Sequence, residues 1–192
     1  MIESITISTL LIIIYIFYIS NKTNLILIET NGNKVLVRNL PDSMTSSILL
    51  EILISKMYRL RNNIEADRLK FVEMDIYITQ MCANFNKDRT KIYETDINSE
   101  LTSYSINKGE EIVFCLRCKK THQLHNINLL MYVAVHEMAH TACPEIGHTP
   151  LFNNIFKFLL EQAVIHSLYI YENYYINPVQ YCGMELYSNI LN

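Results

Sequence analysis

A chain of 192 residues with a formal net charge of −3 is long enough for one domain with a real core and too short for two. Half of its residues are hydrophobic and 18% are charged, which excludes a disordered chain and any global attraction to nucleic acid or anionic lipid. Four glycines and four prolines, with no internal repeat, leave no room for long flexible linkers.

The chain begins MIESITISTLLIIIYIFYIS, uncharged from Ile5 to Ile19. This approaches the roughly 20 apolar residues that cross a bilayer, so residues 1–20 read as an N-terminal membrane anchor. The alternative is a buried strand or helix of the domain itself. A secretory signal does not fit, because Glu3 stands where Lys or Arg is needed and no small-x-small cleavage site follows. Lys22, Lys34 and Arg38 follow the segment and only Glu3 precedes it, so the body is expected on the cytosolic side as part of a single-pass membrane protein. The sequon Asn21-Lys22-Thr23 lies too near such an anchor to matter. Five cysteines, an odd number in a chain too large to need disulfide staples, fit reduced thiols.

Residues 24–192 read as one α+β domain. NLILIETNGNKVLVRNL is a hairpin about Asn31-Gly32, and Pro41-Asp42-Ser43 stops the second strand and offers a helix cap. A helix follows from about Ser43 to Arg61, with Ile48, Ile52, Met57 and Leu60 among its apolar positions. A second helix is expected from about Asp67 to Phe85, and the polar stretch 86–100 reads as a loop. TSYSINKGEEIVFCLR predicts another hairpin, Thr102–Ile106 turning at Asn107-Lys108-Gly109 into Glu111–Arg117. A helix from near Asn126 to about Thr141 is apolar nearly all round, which suits the middle of a domain. Thr149 as N-cap and Pro150 as first residue open the next helix, to about Ser167, with Phe152, Ile155, Phe156, Leu159 and Ala163 facing inward. The tail after it carries no clear pattern.

Residues 133–152, VAVHEMAHTACPEIGHTPLF, hold three of the six histidines. Helical spacing sets His136 and His140 one above the other, so both imidazoles can grip one zinc ion at about 2.0–2.1 Å. Glu137 is rotated about 100° from His136 and can flank the ion, where its carboxylate takes a proton from a zinc-activated water. A catalytic zinc needs a third protein ligand and an open fourth position. His148 is the leading choice, returned to the ion by the turn at Gly147; Glu161 on the next helix, Glu145 and Cys143 are the alternatives. Shared ligation requires the three imidazole nitrogens to converge within about 4 Å of one another. The bland alternative leaves two histidines as polar groups in a core helix without evident partners. A purely structural zinc would use four closed Cys/His ligands and gives Glu137 no purpose.

HEMAH followed by GHTPLF resembles the Wss1-like (WLM) and SprT-like zinc metallopeptidases, whose pattern is HExxH, a short loop, then His and an aromatic. The run from SYSINKGEEIVFCLR to NPVQYCG looks most like the WLM-type proteins of large nucleocytoplasmic DNA viruses. That likeness covers roughly residues 100–185, and less specifically 24–62. It implies a minimal zincin: a small sheet packed on the active-site helix and its partner, with His136, His140 and His148 as zinc ligands and Glu137 as the base. It also implies a protein or peptide substrate bound by strand addition to one arm of the 102–117 hairpin, and a catalytic domain in the cytosol or inside a virion. The resemblance does not carry over repair of DNA–protein crosslinks, since no basic DNA-binding region and no ubiquitin- or SUMO-interacting tail is visible, and an anchor is read instead.

The remaining reactive residues read as bland. Cys115-Leu-Arg-Cys118 sits on a strand, where residues three apart face opposite sides, and no second CxxC exists. Tyr181 offers a hydroxyl to an oxyanion but, as one of 13 tyrosines, reads first as packing. His122 and His125 are expected in solvent, His166 at a helix C-terminus, and Lys119-Lys120 is too small for a nucleic-acid footprint. The sequence therefore predicts a membrane-anchored zinc metallopeptidase, against the alternative of a membrane-attached structural or interaction protein with a zincin-like fold and no turnover.

Overall fold

The computed structural model describes residues 24–30, 32–188 and 190–191. Two runs rich in branched apolar residues form the first hairpin as expected. Strand β1 (Leu25–Thr30) pairs antiparallel with β2 (Asn33–Arg38), from Leu25 opposite Arg38 to Thr30 opposite Asn33. Gly32, at φ +80°, supplies the left-handed backbone that this short turn demands.

Helix α1 (Ser43–Ala66) buries Leu50, Leu53, Met57, Leu60 and Ile64, and it packs on β1 and β2. Those positions keep a spacing of three and four, which fixes the phase of the helix. Ile48 and Ile52, expected inside, are therefore exposed. Asp42 precedes the helix but makes no side-chain cap; its carboxylate takes the Arg117 guanidinium instead.

The expected helix from Asp67 is broken. Two 3₁₀ turns, Arg68–Lys70 and Val72–Met74, lead into α2 (Asp75–Asn84). Phe71 leaves helical geometry between the turns and sets its ring edge-on to Phe158, centroids 5.1 Å apart, so a tertiary contact overrides local propensity.

The polar stretch 86–100 is not all loop. It contains β3 (Lys91–Glu94), the central strand of a five-stranded sheet ordered β1-β2-β3-β5-β4. Strand β3 runs parallel to both β2 and β5 (Glu111–Phe114), while β4 (Tyr104–Ile106) returns antiparallel on β5 and forms the outer edge. At the end of β3, Glu94 is fully buried between two arginines. Its carboxylate accepts from the Arg38 backbone N–H at 2.8 Å and from Arg117 Nε at 3.0 Å. The Arg38 guanidinium donates through Nε to the Thr95 carbonyl at 2.7 Å and through Nη2 to Thr95 Oγ1 at 2.8 Å and the Asp96 carbonyl at 3.3 Å.

Two helices cover the sheet's neighbourhood beside α1. Helix α3 (Ile127–Ala142) starts on Asn126, whose side chain accepts from the Leu129 N–H at 2.8 Å. Helix α4 (Pro150–Ile165) starts on Thr149, whose hydroxyl accepts from the Phe152 N–H at 3.2 Å. Its inward residues are the expected ones: Phe152, Ile155, Phe156, Leu159 and Ala163 are buried. The tail forms a small hairpin of β6 (Val179–Tyr181) and β7 (Met184–Leu186), a separate two-stranded sheet. The described residues thus form a mixed α+β fold of a small sheet and four α-helices.

Two expectations are corrected. The localisation as a single-pass membrane protein is overturned: no helix among the described residues is long and apolar enough to cross a membrane. The segment 1–20 on which that expectation rested lies outside the described residues. The reading of all cysteines as reduced thiols is corrected as well, because Cys115 and Cys182 form a disulfide with Cα atoms 6.0 Å apart. Cys82, Cys118 and Cys143 are the free thiols. The bridge ties the β6–β7 turn to the end of β5 across 67 residues of sequence. Closing a loop of that length in the unfolded chain stabilises a fold by roughly 2–4 kcal/mol. Thermal unfolding with and without a dithiol reductant should therefore differ by about 5–15 °C.

Candidate metal centre

From Leu129 to Ala142 every residue of α3 is buried except His136 and His140, which open onto one cleft. The helix packs against α1, α2, α4 and the edge strand β4, and His136, Glu137 and His140 line the cleft it leaves open. The chain leaves α3 at Cys143, runs exposed through Pro144–Gly147 and re-enters a helix at Thr149. Gly147, at φ +83°, makes the bend that brings His148 back over α3.

His148 Nε2 lies 3.0 Å from His136 Nε2, and one ligand atom from each of His136, His140 and His148 falls within 4.8 Å of the others. The outer limit is wider than the 4 Å expected. The three rings form a near-equilateral triangle, with centroids 5.0, 4.8 and 5.1 Å apart. Phe152, buried at the start of α4, touches all three rings, most closely His140 at 4.3 Å in a stacked arrangement.

Electrostatics keep the His136 and His140 imidazoles neutral. Desolvation first, then the neighbouring His140 and His148, lowers the pKa of His136 to about 3. Desolvation, then His148 and Lys108, lowers that of His140 to about 4. Neutral rings present the lone pairs that a metal needs. Glu137 is only 4% exposed; burial raises its pKa to about 8, and its Oε2 is buried without a hydrogen-bond partner although the residue lines the cleft. An orphaned buried carboxylate oxygen beside three convergent imidazoles is compatible with zinc.

These shifts set a pH dependence for the metal-free protein. His136 and His140 bind their protons more readily unfolded, so their contribution is complete above about 6.5 and is lost as pH falls toward 4. Glu137 has the opposite sign: its share is present below about 4.5 and lost as pH rises through 8. Unfolding by denaturant after chelation should show a stability maximum near pH 6.5, falling on both sides.

The cleft, about 750 Å³, has one wall of β4 and its flanks and another of Tyr181, Met184 and Leu186. Tyr181 shares a hydrogen bond with the Ser103 hydroxyl, in which either oxygen can donate, and burial pushes the Tyr181 pKa upward. Ser103 Oγ also accepts from the Cys115 N–H at 3.1 Å. His125, expected in solvent, is half-buried: its Nε2 accepts from the Cys182 N–H at 3.3 Å, and its ring lies 5.0 Å from that of Tyr181. His122 is exposed and His166 is the C-cap of α4, both as expected. The alternative third ligands stay out of the cluster. Glu161 is exposed elsewhere on α4, Cys143 is buried, and the Glu145 carboxylate takes the Thr149 hydroxyl. Cys118 pairs with no second thiol. Sequence reasoning missed Ser103 and Lys108, whose only signal was membership of a predicted hairpin.

No protein-family model matches the chain. Over 184 residues it is 35% identical to uncharacterized protein R325 of Acanthamoeba polyphaga mimivirus, covering 94% of this chain and 92% of that protein. The chain belongs to the R325 family. Shorter matches reach uncharacterized protein 136R of Invertebrate iridescent virus 6, 37% identical over 43% of this chain and 47% of that protein. Uncharacterized protein 042R of Invertebrate iridescent virus 3 is 39% identical over 35% and 42%. Among solved structures, Wss1 from Saccharomyces cerevisiae overlaps 54% of this R325-family chain and 83% of its own, at 25% identity and a TM-score of 0.38. An overlap at that score assigns neither fold nor activity to the R325 family.

Proposed function

We propose that this chain is a zinc-dependent peptidase of the Wss1-like (WLM) type, with His136, His140 and His148 as ligands and Glu137 as general base. One observation carries the reading: three imidazoles from a helix and the following loop converge beside a buried carboxylate whose Oε2 has no hydrogen-bond partner. The motif resemblance, HEMAH with GHTPLF, points the same way.

A zinc ion supplies Lewis acidity, acidifying water and polarising a carbonyl oxygen. The chain's own residues do the rest. Glu137, raised in pKa by burial, takes a proton from the attacking water and returns it to the departing amine nitrogen. Phe152 holds the three rings in place and keeps bulk water from beneath them. Strand β4 ends the sheet and lies along α3, so an extended protein or peptide substrate can pair with its free edge and lay its backbone across the cleft.

Metal analysis of the purified chain, paired with casein and peptide cleavage assays, tests this reading. Expected are one zinc per chain, hydrolysis abolished by chelation and restored by zinc, and a loss of zinc affinity of more than about 100-fold in His148→Ala. Absence of bound zinc would overturn the metal site. One zinc per chain without cleavage of any substrate would favour a structural protein that keeps the fold without turnover.

A further inference from the structure

The loop that presents His148 has little packing of its own. Residues Pro144 to His148 are all exposed, and Gly147 has open space around it. Yet the loop must hold an imidazole within bonding distance of a shared ion, which demands placement to about 0.5 Å. What fixes it comes from another part of the chain. The Lys108 ammonium reaches across from the β4–β5 turn and donates to the carbonyls of Cys143 and Glu145, both at 2.6 Å.

The turn that delivers Lys108 is strained. Asn107, Lys108 and Gly109 are successive left-handed residues, at φ +48°, +56° and +100°. Such a conformation is unfavourable for Asn and Lys and persists only when the surroundings over-determine it. Here they do. The Arg89 guanidinium donates to the carbonyls of Asn107 at 2.6 Å, Lys108 at 3.0 Å and Asn84 at 2.8 Å. Asn107 Nδ2 donates to Glu110 at 2.8 Å. On the α3 side, a Cβ on Gly109 would stand 2.8 Å from Thr141 Cγ2, and Asn84 Nδ2 donates to the Thr141 carbonyl at 2.8 Å. The turn is thus pressed against the last turn of α3, one residue beyond His140, with an ammonium extended over the chain that follows. A hairpin needs only a two-residue turn to close. Three left-handed residues buttressed by an arginine make sense if the lysine itself has work to do.

We propose that Lys108 is a positioning residue for the metal centre: by bridging the Cys143 and Glu145 carbonyls it fixes the loop that presents His148. The inference rests on the zinc reading above. It deepens that reading by assigning the geometry of the third ligand to a side chain 40 residues upstream in the sequence.

Lys108→Met keeps the aliphatic stem and removes the ammonium. Zinc affinity, measured by competition with a chromogenic chelator, should fall roughly 10–100-fold, as when other outer-shell partners of metal ligands are removed. Lys108→Arg should restore most of it. In the metal-free proteins, amide hydrogen exchange over residues 143–149 should be faster in Lys108→Met, with β1–β3 unchanged. The deciding measurement is a cycle with His148→Ala: once the third ligand is gone, Lys108→Met should weaken zinc binding no further. Unchanged affinity in Lys108→Met, or an equal loss in the His148→Ala background, overturns the positioning role while leaving the zinc reading intact. Failure of the wild-type chain to bind zinc removes the underlying reading instead.

Discussion

Glu137→Gln should retain zinc and lose peptide hydrolysis by about 10²–10⁴-fold, the range that a well-placed general base supplies. The amide fills the same buried volume and still offers one oxygen, but it cannot accept and return a proton. The control is built into the electrostatics. Burial makes an ionised Glu137 costly in the folded state, with a pKa raised to about 8, so the neutral amide removes that cost. Without metal, the variant should be no less stable than the wild type at pH 5 and more stable at pH 8. Zinc content, thermal unfolding at both pH values and cleavage rates per bound zinc together separate lost chemistry from a lost fold. Full activity in the variant would remove Glu137 from the reaction.

The second large effect lies away from the cleft. Glu94→Gln should destabilise the chain by about 3–5 kcal/mol, because the two arginines sharing that carboxylate would lose their one fully buried anion. Arg38 and Arg117 are each almost fully buried, and Arg117 has only the partly exposed Asp42 as a second acid. Replacing Glu94 and both arginines together by apolar residues of similar size should cost far less than the single change, since the penalty arises from uncompensated charge. Denaturant unfolding of the single and triple variants measures the difference. A Glu94→Gln loss below about 1 kcal/mol would mean that water reaches the cluster.

What the sequence discloses differs between helices and strands for a physical reason. Long amphipathic runs such as Pro150–Ile165 carry their phase, cap and first proline in plain view, and the placing of His136 and His140 on one helix face follows from helical spacing alone. Strand β3 is four residues, Lys91–Glu94, in a polar stretch, and its place at the centre of the sheet comes from neighbours brought together by the fold. A glutamate there looks like a surface residue until both arginines are seen around it. The phase of α1 misleads for a similar reason: Ile48 and Ile52 are as apolar as Leu50 and Leu53, and only the packing partner chooses between the faces. The Cys115–Cys182 bridge depends on a tail hairpin with no clear pattern. Lys108 is invisible as more than a turn residue, because its role appears only when the loop after α3 is in place.

His148 stands one residue before the cap of α4 and two before its first proline. With Thr149 and Pro150 fixing where that helix begins, and Lys108 holding the loop before it, the third imidazole is tied to α4 on one side and to the β4–β5 turn on the other. An ion coordinated there would act as a bolt through two rods, so a chelator should lower the mechanical and thermal resistance of the helix pair as a unit. Conversely, a swap as remote as Leu159→Ala should announce itself by metal leaking from the centre before any helix melts.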